Sequence, residues 1–224
     1  MDTEQLTNLT EMYESFFKFN KYEGIEQSNS AVGAKFGSLP VLLSMPHSVV
    51  HYRNGNRKEA DDYTGAIGLL MNDLTDCYCI YSKKTTEEDP NYVNGGRYKK
   101  CLEEVIVKNN ILFMIDLHGA SSGRTFDIDL GTMNGKSADF KHIEMMKQVF
   151  SKYHILDVRE NDTFPALHPG TVTSFVSTKL NIPCVQMEIH AKYRTPLENL
   201  TQFMKLLDSL KEIVMTLSKE SREQ

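Results

Sequence analysis

Apolar residues along this chain follow two rhythms. Near-continuous runs, of the kind found in strands buried on both faces, occur in PVLLSMPHS from Pro40, CYCIYS at 77–82, Ile111 to Leu117 and PCVQMEIH at 183–190. Helical spacing governs Thr3 to Phe17, TGAIGLLMNDLT at 64–75, Arg97 to Lys108, Ser137 to Tyr153 and Val172 to Leu180. Thr64 is a candidate cap for the second of these. In the fourth, Phe140, Ile143, Met146, Val149 and Phe150 form one stripe. A last helix, 196–219, is predicted to open on T-P-L-E, with Thr195 as cap, Pro196 in the first turn and Glu198 closing a capping box. Its stripe includes Leu200, Met204, Leu207, Leu210 and Val214. FDIDLG at 126–131 alternates apolar and acidic residues, as a half-exposed strand does. Residues 18–39 read as loops or a short hairpin, and DPNYVNGG at 89–96 as a turn.

Buried strands alternating with helices predict an α/β architecture with helices on both faces of the sheet. No repeat or low-complexity tract divides the 224 residues. One domain over 1–224 is expected, with 1–39 as an N-terminal extension or hairpin. A chain of this length can bury roughly 70% of its unfolded surface.

Composition acts by exclusion. Lys+Arg 25 against Asp+Glu 30 gives a net charge of −5 and no cationic cluster, which argues against nucleic acid as a partner. No apolar run approaches the 18 or so residues of a membrane span. The acidic start, MDTEQLTNLTEMYE, lacks the basic and apolar segments of a signal peptide, so a cytoplasmic location is expected. Cys77, Cys79, Cys101 and Cys184 lack zinc-ribbon spacing and read as reduced, structural thiols.

The chemistry lies at strand ends. Three predicted strands finish on residues suited to a metal or a proton: His47, Asp116 with His118, and Glu188 with His190. In α/β sheets, sites form just beyond the carboxyl ends of strands. A catalytic zinc takes about three protein ligands and leaves one position for water. His47 and His118 are candidate ligands, and Glu59, Asp61 or Asp62 is the candidate carboxylate just ahead of the 64–75 helix. Asp116, two residues before His118 and on the same strand face, is a candidate to orient that imidazole. Glu188 is the candidate general base, taking a proton from water and returning it to a leaving amine. Arg124 and Arg194 are candidates to grip a substrate carboxylate. His51 and His168 sit in loops, and His142 and His154 are expected to face solvent.

These residues resemble those of the N-formylglutamate amidohydrolases, within the wider zinc carboxypeptidase and aspartoacylase-like group. The matching pieces are SMPHS (44–48), KEADDYTG (58–65), DPN (89–91), IDLHG (115–119) and VQMEI (185–189), in the family's order. The resemblance implies a phosphorylase/hydrolase-like three-layer α/β/α fold around a mixed, mostly parallel sheet. It implies zinc held by His47, Asp61 and His118, Glu188 as base and acid, and Asn91 at the substrate. The small-molecule substrate would carry a carboxylate. The family often shows Asn-Arg where this chain has Asn91-Tyr92, and SSGRTFDIDLG (121–131) looks divergent, so the substrate need not be formylglutamate. A metallo-carboxypeptidase acting on short peptides and a fold-retaining binding protein without activity are the rival readings.

Overall fold

The computed structural model describes residues 1–24 and 30–220. Helix α1 (Thr3–Tyr22) precedes strands β1 (Val32–Lys35), β2 (Leu39–Met45), β3 (His51–Arg53) and β4 (Asn56–Lys58). Then come α2 (Thr64–Thr75), β5 (Cys77–Ser82), α3 (Gly96–Lys108), β6 (Phe113–Ala120) and β7 (Ile128–Gly131). The chain ends with α4 (Phe140–Lys152), β8 (Val158–Glu160), the short α5 (Val172–Phe175), β9 (Cys184–His190) and α6 (Leu200–Glu220). Seven strands form one sheet in the order β1-β5-β2-β6-β9-β7-β8, and β3–β4 is a separate hairpin. The pairs β5/β2, β2/β6, β6/β9 and β7/β8 are parallel. The pairs β1/β5 and β7/β9 are antiparallel. The sheet is therefore mixed and mostly parallel.

Two-residue periodicity divides the central strands by face. Val41, Leu43 and Met45 of β2, Ile115 and Leu117 of β6, and Val185, Met187 and Ile189 of β9 join one core with α1, α2, α4 and α6. Their neighbours Leu42, Met114 and Cys184 meet α3 and α5 in a smaller core on the opposite face. Farther along that second face the side chains turn polar: Ser44, Asp116 and His118, Gln186 and Glu188. Register aligns them, Ser44 beside Asp116, Asp116 beside Gln186, and His118 beside Glu188. The second face is thus an apolar floor under α3 and α5 that becomes a buried polar surface toward the carboxyl ends.

Several local expectations are corrected. Residues 32–35 form an edge strand of the main sheet rather than a loop, and residues 25–29 lie outside the described residues. Thr64 opens α2 without capping it; its hydroxyl donates to the Asp61 carbonyl. Thr195 closes only a turn, and α6 starts five residues later at Leu200, behind Asn199, whose Oδ1 accepts from the Gln202 N–H at 3.3 Å. Strand β7 is buried on both faces rather than half exposed, because Ile128 and Leu130 join the main core on one face and the 162–164 segment covers Asp129 on the other. Phe140 leaves its predicted stripe and points to solvent, while His142 is buried with its ring 4.9 Å from that of Phe113.

Candidate metal centre

The cleft opens where β2, β6 and β9 end. It holds about 560 Å³ and is lined on one side by His47, Asp61, His118, Gln186 and Glu188. His47 comes from the turn after β2, and His118 and Glu188 from neighbouring strands. Asp61 lies in the turn before α2, and its N–H donates to the His47 carbonyl at 2.8 Å, which fixes one against the other.

The imidazoles of His47 and His118 meet edge to face, with centroids 4.9 Å apart. Each turns Nδ1 toward the same oxygen, Asp61 Oδ2, at 3.4 Å from His47 and 3.1 Å from His118. One nitrogen or oxygen from each of the three residues lies within 4.8 Å of the others. Each Nε2 faces a different buried carboxylate, Asp89 Oδ1 at 2.8 Å for His47 and Asp116 Oδ2 at 3.3 Å for His118. A carboxylate behind an imidazole fixes its tautomer and leaves the other nitrogen free to donate to a metal. The 3.4 Å approach of His47 Nδ1 to Asp61 is not a hydrogen bond, and that buried nitrogen has no hydrogen-bonding partner. Two imidazoles and a carboxylate, all buried, with an orphaned nitrogen aimed among them, fit a divalent cation.

The electrostatics agree. Burial alone would raise Asp61, but Lys58, whose Nζ is 2.9 Å from Oδ1, and then the two imidazoles hold its carboxyl well below the usual range. Burial alone would lower His118, but Asp116, then Asp61 and Glu188, raise it well above an ordinary imidazole. The pocket thus favours positive charge. Glu188 shifts the other way: burial first, then the Asp61 charge, push it up to about 7 against the pull of the imidazoles. Gln186 Nε2 donates to Glu188 Oε1 at 3.1 Å.

The other predicted residues fall as follows. Of the three acids before α2, Asp61 reaches the imidazoles; Glu59 is exposed and pairs with Arg57, and Asp62 pairs with Arg194. Asp116 is fully buried beneath the site, accepting from Ser44 Oγ at 2.8 Å. Asn91 lines the cleft with Nδ2 3.3 Å from His118 Nε2, and its Oδ1 accepts from the Val172 N–H at 2.7 Å, joining the site to α5. Arg124 lines the cleft with its guanidinium 5.0 Å from the Phe164 ring centre. Arg194 does not. Its side chain is buried against Asp62 Oδ1 at 2.7 Å and the Ala120 carbonyl at 3.1 Å, so it braces the Asp61–Asp62 turn instead of meeting substrate. His51 is buried near His47, and burial followed by the His47 charge lowers it to about 4. His168 stacks flat on Tyr92 at the cleft wall, 4.8 Å between centroids. His190 accepts from the Lys192 N–H, and His154 is exposed. Sequence reasoning missed Asp89, Lys58 and Gln186 as partners of the site. Asp89 carried a visible signal, as the acid of the DPN turn.

The chain is thus an α/β/α protein with a mostly parallel sheet and, at its strand ends, a buried His-Asp-His cluster that could hold a divalent cation. No family model and no curated protein sequence matches the chain. Solved structures do match its fold. The N-formylglutamate amidohydrolase from Ralstonia eutropha JMP134 aligns with a TM-score of 0.65 at 12% identity, over 86% of this chain and 98% of that one. A gene product from Agrobacterium tumefaciens gives 0.66 at 14%, over 90% and 100%. A bacteriophage poly-gamma-glutamate hydrolase gives 0.55 at 13%, over 84% and 90%. The expected fold is therefore present in full. Among the described residues no helix is long and apolar enough to cross a membrane.

Proposed function

We propose that the protein is a zinc-dependent amidohydrolase that cleaves a small N-acyl amino acid or a related amide. The observation that carries this reading is the convergence of His47, Asp61 and His118 within 4.8 Å, with Glu188 facing the same cleft. His47, Asp61 and His118 would hold the ion. When bound, zinc supplies a Lewis acid that polarises a carbonyl oxygen and lowers the pKa of water. Glu188 takes the proton of the attacking water on a carboxylate oxygen and delivers it to the departing nitrogen. Burial raises its carboxyl above the ordinary range, which favours a group that must accept a proton. Asp89 and Asp116 hold the imidazoles, and Arg124 meets the substrate carboxylate. The fold shared with an amidohydrolase supports the reading.

The test is metal content followed by turnover. Protein purified without chelator should carry close to one zinc per chain and hydrolyse members of an N-acyl amino acid panel, with activity lost on chelation and restored by zinc. Protein that neither retains nor takes up zinc ends the proposal. Cleavage confined to peptides with a free carboxyl terminus replaces it with the carboxypeptidase reading.

A further inference from the structure

The wall of the cleft opposite the histidines holds few charges. Three Arg and Lys side chains line the cavity: Arg53, Lys58 and Arg124. Arg53 is taken by Asp89, with Nη2 2.7 Å and Nε 2.9 Å from Oδ2, and it also lies over the Tyr92 ring. Lys58 is taken by Asp61. Arg124 makes no ion pair among the described residues, and its guanidinium rests on Phe164. The neutral amides are committed too. Asn91 is bonded to His118, Gln186 and Val172, and Gln186 to Glu188.

Beside Arg124 the cleft presents an apolar stretch, Phe164, Pro165, Ala166 and Leu167, flanked by Thr163 and His168. This stretch is built in place. The buried Asp129 accepts from the N–H groups of Asp162, Thr163 and Phe164 at 3.2, 2.8 and 2.8 Å. The Met133 N–H donates to the Pro165 carbonyl at 2.9 Å, and Ala166 is buried in a left-handed conformation, φ 57°. A non-glycine residue keeps that conformation only where its surroundings impose it.

We infer that the substrate carries a single carboxylate, held by Arg124, and an uncharged apolar side chain that lies against Phe164 to Leu167. This rests on the amidohydrolase reading and narrows it. A second carboxylate, as in an N-acyl glutamate or aspartate, meets an apolar wall with no uncommitted cation and leaves water for no charged partner. An aliphatic or aromatic side chain gains contact with the same surface.

The experiment uses zinc-loaded full-length protein with N-acetyl and N-formyl derivatives of leucine, methionine, phenylalanine, glutamate and aspartate. Values of kcat/KM and calorimetric Kd are both measured. The apolar members should exceed the acidic ones by about tenfold or more in either quantity. Leu167→Arg should reduce that gap, through tighter binding of the acidic derivatives. Equal or better values for glutamate or aspartate overturn the inference even where hydrolysis is brisk. Tighter binding of the apolar set without turnover sinks the amidohydrolase reading and leaves the specificity standing, and no binding of any member sinks both.

Discussion

His47 Nε2 lies 2.8 Å from Asp89 Oδ1, and Asp89 is completely buried. Burial alone would raise that carboxyl, but His47 and then Arg53 hold it well below the usual range. It is therefore an anion at any working pH, and the imidazole proton stays on Nε2. The Nδ1 lone pair is left facing Asp61 and His118. Asp89→Asn removes the charge and offers a donor where an acceptor is required, so His47 can take the other tautomer. Affinity for zinc should fall about 10- to 100-fold. Competition against a chromophoric chelator measures this; unchanged affinity would show that Asp89 does not orient the His47 imidazole toward the ion.

Glu188 neighbours the cluster without belonging to the set of three. Glu188→Gln keeps the size of the side chain and its hydrogen-bonding capacity, but it cannot accept the proton of water. Stoichiometric zinc should persist while kcat drops by about 10²- to 10⁴-fold and KM moves little. Parallel metal analysis and steady-state kinetics separate the outcomes. Loss of zinc would make Glu188 a ligand, and retained turnover would remove it from proton transfer.

Much of this site was legible in the chain. His118 and Asp116 lie two apart in an apolar run, and period-two alternation sends both to one face, where Glu188 of the next strand also lies. The α/β class followed from another signal, near-continuous apolar runs alternating with helical stretches. What escaped was set by partners remote in sequence. Arg194 looked free for substrate because nothing nearby claims it, yet it pairs with Asp62, 132 residues away. Asp89 reaches His47 across 42 residues. FDIDLG misled for another reason. An acid that alternates with apolar residues to meet water and one that does so to receive three backbone N–H groups have the same pattern, and Asp129 is the second kind. The T-P-L-E box failed because its turn ends before α6, which starts at Leu200 with Asn199 as the residue ahead of it.

A second buried carboxyl gives the fold a pH dependence. Glu14 on α1 is hydrogen-bonded to the Tyr22 hydroxyl, and its Oε2 is buried without a partner. Burial raises it from 4.5 to about 7, outweighing the Tyr22 bond. The folded state therefore holds a proton that the unfolded chain releases at lower pH. Its stabilising contribution is complete below about 4.5 and is lost as pH rises through about 7, by roughly 3 kcal/mol at most. Glu14→Gln should remove this slope, leaving the variant more stable than the parent above pH 7. Urea unfolding at intervals from pH 5 to 8 tests it; parallel curves for the two proteins would show that Glu14 is ionised in the fold.

Gly170 carries the close approach of two cleft loops. A Cβ at this position would fall within the carbonyl of Tyr92, and its own carbonyl accepts from the buried Lys99 ammonium at 2.5 Å. Lys99 also donates to the Val93 carbonyl at 2.6 Å, so one side chain ties the 89–96 turn to the segment before α5. Neither obstacle is the flexible end of a side chain: Tyr92 O is backbone, and the turn is fixed from its other end by Asp89. Gly170→Ala must push the loops apart. We expect a loss of about 1–3 kcal/mol in urea unfolding. The Tyr92–His168 stack should also be disturbed, raising KM more than it lowers kcat, because His47 and Asp61 lie on turns beside β2 and α2 and His118 on β6, none of them on these two loops. A stable variant with unchanged KM would show that the cleft wall yields without consequence for the substrate.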